Sequence, residues 1–245
     1  KTVLEENVDM LLANRIQPTA LPNGLIPVDI DVTPMDNSKS KKEGVSRTYK
    51  GFDGYAPMMA YIGTEGYAIN FELREGKQHC QNGTVEFLQE TVELCRRLTD
   101  KPLLVRLDSG NDSIDNVAVL IDAGCFFIIK RNLRRESRDG WFEMAKQYCQ
   151  DISSPRDGKT VYIGSDWKTA SSKRFNRDFT LRAGYEITER TIDKYGQFNL
   201  VPEVEVETWW TNLGDPDREI IKLYHAHGEC EQFHSEVKTD MDLER

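Results

Sequence analysis

Apolar residues in the first part of the chain recur at two spacings, which predict strands and helices in turn. Residues 25–32 alternate apolar and acidic side chains, the pattern of a strand with two different faces. Two more strands are predicted at 56–62 and 67–73, joined by a tight turn. Residues 84–98 carry apolar side chains three and four positions apart, as an amphipathic helix does.

The next stretch continues the alternation of strand and helix. Residues 103–107 form a short apolar run, and residues 125–130 form another that is typical of a strand buried on both faces. Between them, residues 114–123 have an apolar helical stripe that Ser113 is placed to cap. These elements together predict a mixed α/β sheet flanked by helices.

The pattern changes after residue 133. Residues 133–203 contain few helical stripes and several short β-like pieces, which predicts a β-rich insertion. Residues 34–50 are predicted to be a polar loop, and Asp215 with Pro216 predicts a helix start with the aspartate as N-cap. We therefore expect three parts: an N-terminal helical segment at 1–24, a core at 25–132 and 204–245, and the insertion at 133–203.

Composition narrows the class of protein. The 245 residues are 38% hydrophobic and 30% charged, with no apolar run that approaches a membrane span of about 18 residues. Five scattered cysteines without a C-x-x-C pair favour a reducing cytoplasm over a secreted disulfide scaffold. The net charge of −9 argues against a surface built to hold nucleic acid. Because the first residue is not methionine, we expect the chain to be a fragment of a longer protein.

Three acidic residues stand out by their position. Asp31 lies at the end of the first predicted strand, Asp108 follows the 103–107 strand, and Glu231 lies on the last predicted helix. Oxygen ligands from such carboxylates suit Mg²⁺ or Mn²⁺. Strand-end aspartates are also common as caps and turn formers. Asp29 lies two residues before Asp31 and shares its strand face, so the spacing leaves both open.

A more specific pattern lies near the C-terminus. Tyr224, His227, Glu231 and Lys238 have the spacing of a Tyr-Arg-Glu-Lys signature, with histidine in the arginine position. Upstream, Asp29-Ile30-Asp31-Val32-Thr33 and Arg106-Leu107-Asp108-Ser109-Gly110 are similar to the strands that carry the two aspartates of the same family. The chain thus resembles DDE transposases of bacterial insertion sequences, in the Tyr-Arg-Glu-Lys subgroup.

The resemblance implies a fold and a catalytic site. It implies a ribonuclease H-like mixed sheet flanked by helices, with a β-rich insertion before the last catalytic helix. Asp31, Asp108 and Glu231 would be the catalytic triad and would bind Mg²⁺ or Mn²⁺, two ions in all. Asp31 is preferred to Asp29 because it directly precedes a threonine-containing segment, and Glu231 to Glu236 because it alone fits both flanking spacings.

The resemblance also implies a partner. DNA, as element ends and as target, would be cut and joined by a dimer, in the cytoplasm with the bacterial nucleoid and away from any membrane. Tyr224 and Lys238 would position the DNA backbone, whereas a neutral histidine at His227 offers one donor in place of the arginine fork.

Further DNA contacts are expected from the two densest basic runs, which contain Lys41 and Arg131. For the isolated fragment we expect weak, salt-sensitive DNA binding. Two alternatives remain open: a nuclease without strand transfer, and an inert core that binds DNA or a partner.

Overall fold

A computed structural model of the chain describes residues 2–134 and 136–239. The helices are α1 (Val3–Ala13), α2 (Thr84–Leu98), α3 (Ile114–Asp122), α4 (Arg138–Tyr148), α5 (Asp217–His225) and α6 (Cys230–Thr239). The strands are β1 (Ile26–Val32), β2 (Met35–Asp36), β3 (Ser46–Arg47), β4 (Asp53–Tyr55), β5 (Met58–Ile62), β6 (Tyr67–Glu72), β7 (Leu103–Leu107), β8 (Phe126–Lys130), β9 (Asp151–Arg156), β10 (Lys159–Ser172), β11 (Arg177–Ile192) and β12 (Phe198–Thr211).

Nine strands form one sheet in the order β6-β5-β1-β7-β8-β12-β11-β10-β9. Strands β1, β7 and β8 run parallel to one another, and the other pairings in the sheet are antiparallel. The fold is therefore mixed α/β, with a large sheet flanked by helices. Strand β7 is buried along its whole length, as expected at the centre of a sheet that is covered on both faces.

The predicted loop at residues 34–50 contains structure that the sequence analysis missed. Strands β2, β4 and β3 form a separate three-stranded sheet in that order, with antiparallel pairing. Strands β2 and β3 have two residues each, too few to give an alternating hydrophobic pattern. Their pairing therefore depends on contacts with β4, which lies outside the predicted loop.

The region predicted as short β-like pieces differs from the structure in two ways. Helix α4 lies within it, and among its residues only Trp141 and Ala145 are buried, so its apolar stripe is weak. Strands β10, β11 and β12 have 14, 16 and 14 residues, longer than the predicted pieces. Much of their outer length is exposed, and in β12 the exposed residues include Phe198, Leu200 and Val201, so a buried apolar face marks only part of each strand.

The C-terminal helices end the described part of the chain. Pro216 is the N-cap of α5 and no side-chain hydrogen bond caps this end, so the prediction of Asp215 as the cap was wrong. A 3₁₀ turn at Ala226–Glu229 separates α5 from α6. Within residues 2–134 and 136–239, no helix has the length and apolar character needed to cross a membrane.

Candidate active site

Asp31 and Asp108 lie side by side at one edge of the sheet. Strands β1 and β7 are parallel neighbours, and Ile30 pairs with Leu107. The residues that follow this pair are Asp31 and Asp108, on neighbouring strands about 4.8 Å apart. Both aspartates line the same cavity, which has a volume of about 570 Å³.

The Asp31 carboxylate is held at the cavity by the backbone and by α6. Its Oδ1 accepts a hydrogen bond from the Val32 amide at 2.7 Å. Its Oδ2 lies 3.6 Å from Nε2 of His234, and the other ring nitrogen of this histidine is 3.0 Å from the Tyr61 hydroxyl. The side chain keeps 29% of its surface exposed, so it remains accessible to a ligand in the cavity.

The Asp108 carboxylate is more enclosed. Burial and the negative charge of Asp31 raise its pKa, although hydrogen bonds from the Asn111 side chain (2.8 Å) and the Gly110 amide oppose the rise. A Cβ atom at Gly110 would lie 3.2 Å from both carboxylate oxygens, so glycine leaves space beside them. The site thus brings two like charges together in a partly buried position, which a bound cation would stabilise.

Asp29 has a different environment. Its carboxylate receives two hydrogen bonds of 2.6 Å from Nε and Nη2 of Arg106, and both side chains are at least 96% buried. Nδ1 of His227 lies 3.0 Å from the same carboxylate. Burial alone would raise the pKa of Asp29, but the hydrogen bond from His227 and the charges of Arg106 and His227 bring it below the usual value.

This ion pair also connects the sheet to the C-terminal helices. Nη1 of Arg106 donates a 2.7 Å hydrogen bond to the carbonyl oxygen of Leu223 on α5. The contact of His227 with Asp29 fixes the turn between α5 and α6 against β1. Asp29 is therefore fully engaged in holding the helices onto the sheet.

The signature residues are partly described. Tyr224 is buried to 91%, its ring packs on Trp209 and His227, and burial together with the charge of Asp108 raises its pKa. The backbones of Glu231 and Lys238 belong to α6, but their side chains lie outside the described residues. Whether Glu231 approaches the two aspartates therefore stays a prediction.

The two residues expected from the basic runs occupy different environments. Lys41 is exposed on the loop between β2 and β3. Arg131 is 93% buried and lies 3.9 Å over the Trp210 ring, beside a second cavity of about 540 Å³. One of its nitrogens pairs with Glu136, and Nε and Nη1 have no hydrogen-bond partner among the described residues.

Some polar groups near the aspartates were not predicted. Arg47, Tyr49 and Lys77 line the cavity that contains Asp31 and Asp108. They belong to the small sheet and to the loop after β6, so the sequence offered no spacing that joins them to the aspartates.

A separate group of possible metal ligands lies elsewhere on the sheet. Ligand atoms of Glu186, Glu207 and His225 are within 4.8 Å of one another. Lys130 pairs with Glu207, so part of the negative charge of this group is already balanced. None of the three belongs to the predicted triad.

Comparison with protein families identifies a transposase domain. The family model described as "Transposase DDE domain group 1" matches residues 4–245. Among solved structures, a piggyBac transposase synaptic complex with hairpin DNA is similar at a TM-score of 0.43 and 11% identity. That match covers 97% of this chain and 45% of the other chain, so this chain spans less than half of that protein. No significant match to a curated protein is found.

The arrangement defines a mixed α/β domain with two carboxylates at the ends of adjacent parallel strands. The chain belongs to the family of DDE transposase domains, group 1, since the family model matches nearly its whole length.

Proposed function

We propose that this chain is the catalytic core of a cut-and-paste DNA transposase of the insertion-sequence subgroup with the Tyr-Arg-Glu-Lys signature. The observation that carries the proposal is the pairing of Asp31 and Asp108 in one cavity, where the charge of Asp31 raises the pKa of Asp108. Two close carboxylates favour a shared divalent cation. Family membership supports the same function.

A ribonuclease H-like core is part of the proposal. Five strands in the order β6-β5-β1-β7-β8, with β1, β7 and β8 parallel, support it. Strands β9–β12 extend this sheet beyond β8, and we propose that β9–β11 and the outer part of β12 form the expected β-rich insertion, with the 203/204 boundary falling within β12. The division into 1–24, 25–132 with 204–245, and 133–203 remains part of the same proposal.

Glu231 is proposed as the third ligand. His234 lies three residues further along α6 and approaches Asp31 at 3.6 Å. Because residues three apart share a helix face, the proposal places residue 231 on the face of α6 that carries His234. The contacts of Asp29 with Arg106 and His227 fix the preceding turn, so these three are positioning residues for the helix.

The two carboxylates in the cavity fit a hard divalent cation such as Mg²⁺ or Mn²⁺, and we propose that Asp31, Asp108 and Glu231 would hold two. Such ions supply Lewis-acid stabilisation of phosphoryl oxygens and lower the pKa of water. The proposed reaction is hydrolysis of a phosphodiester at the element end, followed by attack of the freed 3′-hydroxyl on target DNA.

The other predicted residues would contact DNA or support the site. Arg131 is 93% buried, and its Nε and Nη1 atoms are enclosed beside the Trp210 ring, which favours a supporting role over direct contact with a phosphate. Lys41 is exposed and does not line the cavity that contains Asp31 and Asp108. Tyr224 and His227 are buried, which favours positioning of the helix over direct contact. A contact from Lys238 and a homodimer on paired ends remain expectations.

Cleavage of labelled duplex DNA in Mn²⁺ tests the proposal. Replacement of outer-shell partners at metal sites costs about 10- to 100-fold in activity, so loss of a direct ligand should cost more. We expect Asp31→Asn, Asp108→Asn and Glu231→Gln each to lower cleavage by more than about 100-fold. Glu236→Gln is the matched control because Glu236 is an exposed glutamate on the same helix. Equal losses in Glu236→Gln and Glu231→Gln would contradict the assignment.

Strand transfer separates a transposase from a nuclease. A duplex with a free 3′-hydroxyl is incubated with a supercoiled plasmid, and joined products are measured beside simple nicks. We expect joined products from the wild-type chain and none from Asp108→Asn. Nicking without joining would favour the nuclease, and no divalent-dependent cleavage in any variant would favour the inert core.

A further inference from the structure

Two basic side chains and a tyrosine form part of the wall of the cavity that contains Asp31 and Asp108. Arg47 on β3 and Lys77 in the loop after β6 line this wall, with Tyr49 between β3 and β4. The residues come from two chain segments about 30 positions apart. They are absent from the signature and from the basic runs that the sequence analysis identified.

The two segments are fixed to each other by close backbone packing. A Cβ atom at Gly76 would lie 2.1 Å from the carbonyl oxygen of Ser46 and 2.4 Å from that of Gly54, so only glycine fits there. The Lys77 amide also donates a 3.0 Å hydrogen bond to Oγ of Ser46. Lys77 is therefore held next to Arg47 by the fold, and not by a chance approach of two surface loops.

Tyr49 lies at the mouth of the cavity with its ring accessible. Its hydroxyl donates to the carbonyl oxygen of Val32, the residue after Asp31, at 3.5 Å. The side chain is nevertheless 69% exposed, and Lys50 lies 5.6 Å from the ring centroid. An exposed ring that is anchored at its hydroxyl end presents a face on which a nucleobase can stack.

The two cations have weak partners in the protein. Arg47 lies 3.7 Å from Asp53 and Lys77 lies 3.3 Å from Glu75, and the two basic side chains are 69% and 71% exposed. Exposed pairs of this kind contribute little to stability, so a phosphate can replace the carboxylate at small cost. The chain carries a net charge of −9, and this wall supplies positive charge where a polyanion must approach two carboxylates.

We propose that Tyr49, Arg47 and Lys77 form a binding site for a nucleotide of the DNA strand that flanks the reacting phosphate. The Tyr49 ring stacks on an unpaired base, and the two cations bind the adjoining backbone phosphates. The proposal rests on the proposed function, because it takes the two aspartates as the place where the DNA reacts. It adds a second contact surface to the proposed DNA path.

The test measures binding and not cleavage. A fluorescein-labelled single-stranded 12-mer is titrated in Ca²⁺, and its anisotropy is recorded. Base stacking on an aromatic side chain predicts that Tyr49→Ala weakens binding about 5- to 150-fold. Tyr49→Phe, which keeps the ring, should bind within about threefold of wild type, below the range expected for Tyr49→Ala.

The chain offers a matched control at the far end of the β11–β12 hairpin. Tyr195 is 77% exposed and has Lys194 at 5.0 Å from its ring centroid, an arrangement like that of Tyr49 with Lys50. Tyr195→Ala should leave binding unchanged. Equal binding by wild type and Tyr49→Ala, or equal losses in Tyr49→Ala and Tyr195→Ala, would overturn the proposal.

Salt dependence tests the two cations. Each lost phosphate contact lowers the slope of log K against log salt by about 0.7 for single strands. We expect Arg47→Gln and Lys77→Gln each to lower the slope by about that amount, and Lys194→Gln not to change it. Unchanged slopes in the first two variants would contradict phosphate contact.

Binding and cleavage fail independently. If Asp108→Asn still cleaves DNA, the proposed function is wrong, although the stacking site can persist. If Tyr49→Ala binds as wild type while Asp108→Asn loses cleavage, only the present inference is wrong.

Discussion

Asp29 and Asp31 lie two residues apart on the same face of β1, yet their environments are opposite. Within the sheet, Asp29 pairs in register with Arg106 on β7, and the two side chains form a buried ion pair. Two positions further along, β7 has ended and the residue beside Asp31 is Asp108. The first carboxylate is neutralised by the protein, whereas the second meets another negative charge in a cavity.

The difference shows how position along a strand decides the use of a carboxylate. A buried carboxylate inside the sheet is tolerated only with a partner, and Arg106 supplies two hydrogen bonds in a planar fork. At the strand end there is more space and the Asp31 side chain is partly exposed. Asp31 is therefore tolerated there without a cationic partner as close as Arg106 is to Asp29. The Asp29 region thus stabilises the fold, and the Asp108 region is expected to cost stability until a cation binds.

Removal of Arg106 tests the role of the buried Asp29–Arg106 pair, and we expect it to have the largest effect on stability. Arg106→Leu leaves Asp29 buried with only His227 beside it, and breaking a buried pair in this way costs about 3–5 kcal/mol. We expect a loss of that size in the free energy of unfolding measured by urea denaturation. Arg177→Leu is the control, because Arg177 forms an exposed pair with Asp122. A loss below about 1 kcal/mol in Arg106→Leu would show that the pair is not needed.

The environment of Asp108 could be predicted from the sequence in part, whereas that of Asp29 could not. Helix α2 at Thr84–Leu98 and strand β7 at Leu103–Leu107 have the bounds that were predicted, because their apolar residues are spaced as the buried faces require. Asp108 follows β7 directly, so its position at a strand end was predictable. Asp108 lies next to Asp31 because β1 and β7 are adjacent strands. The expectation that the two aspartates form one site came from the family resemblance and not from the spacing of residues.

The partner of Asp29 could not be predicted, because Arg106 lies 77 residues away and the strand register was unknown. The three-stranded sheet was not predicted for a related reason, because β2 and β3 have only two residues each and show no periodicity of their own. Helix α4 was missed because it buries few residues on its apolar face. For Arg106 and the small sheet, a contact between distant segments, and not a local pattern, determines the structure.

A bound divalent cation should remove the destabilisation caused by the adjacent charges of Asp31 and Asp108. A ligand that binds only the folded state stabilises it by about 2.7 kcal/mol at one hundred times its Kd. We expect Mn²⁺ to raise the free energy of unfolding of the wild-type chain by up to about that amount, and to have little effect on Asp108→Asn.

The group of Glu186, Glu207 and His225 makes a control necessary. His225→Ala removes one of its possible ligands and leaves the two aspartates unchanged. If the Mn²⁺ effect is lost in His225→Ala and kept in Asp108→Asn, the cation binds at the wrong place for the proposed function.

Without divalent cations, the comparison predicts a gain in stability on removal of charge. Burial and Asp31 raise the pKa of Asp108, so its ionised form is disfavoured in the folded state. In the presence of a chelator we expect Asp108→Asn to be more stable than wild type by about 1 kcal/mol, a usual size for a stabilising substitution. Asp29→Asn should be less stable than wild type. A loss of stability in both variants would remove the contrast between the two carboxylates.

The pH dependence of that gain is the smallest and sharpest test. The Asp108 carboxyl has a pKa above its unfolded value of about 3.9, so between the two values the folded chain holds a proton that the unfolded chain has lost. Its contribution therefore lowers stability as pH rises through this window. The difference between Asp108→Asn and wild type should be near zero below about pH 3 and grow above about pH 4 to a constant value. Asp29, whose pKa is lowered, destabilises both proteins in acid alike and cancels from the difference. A difference that is already complete at pH 3 would mean that asparagine changes packing, because no charge remains there to be removed.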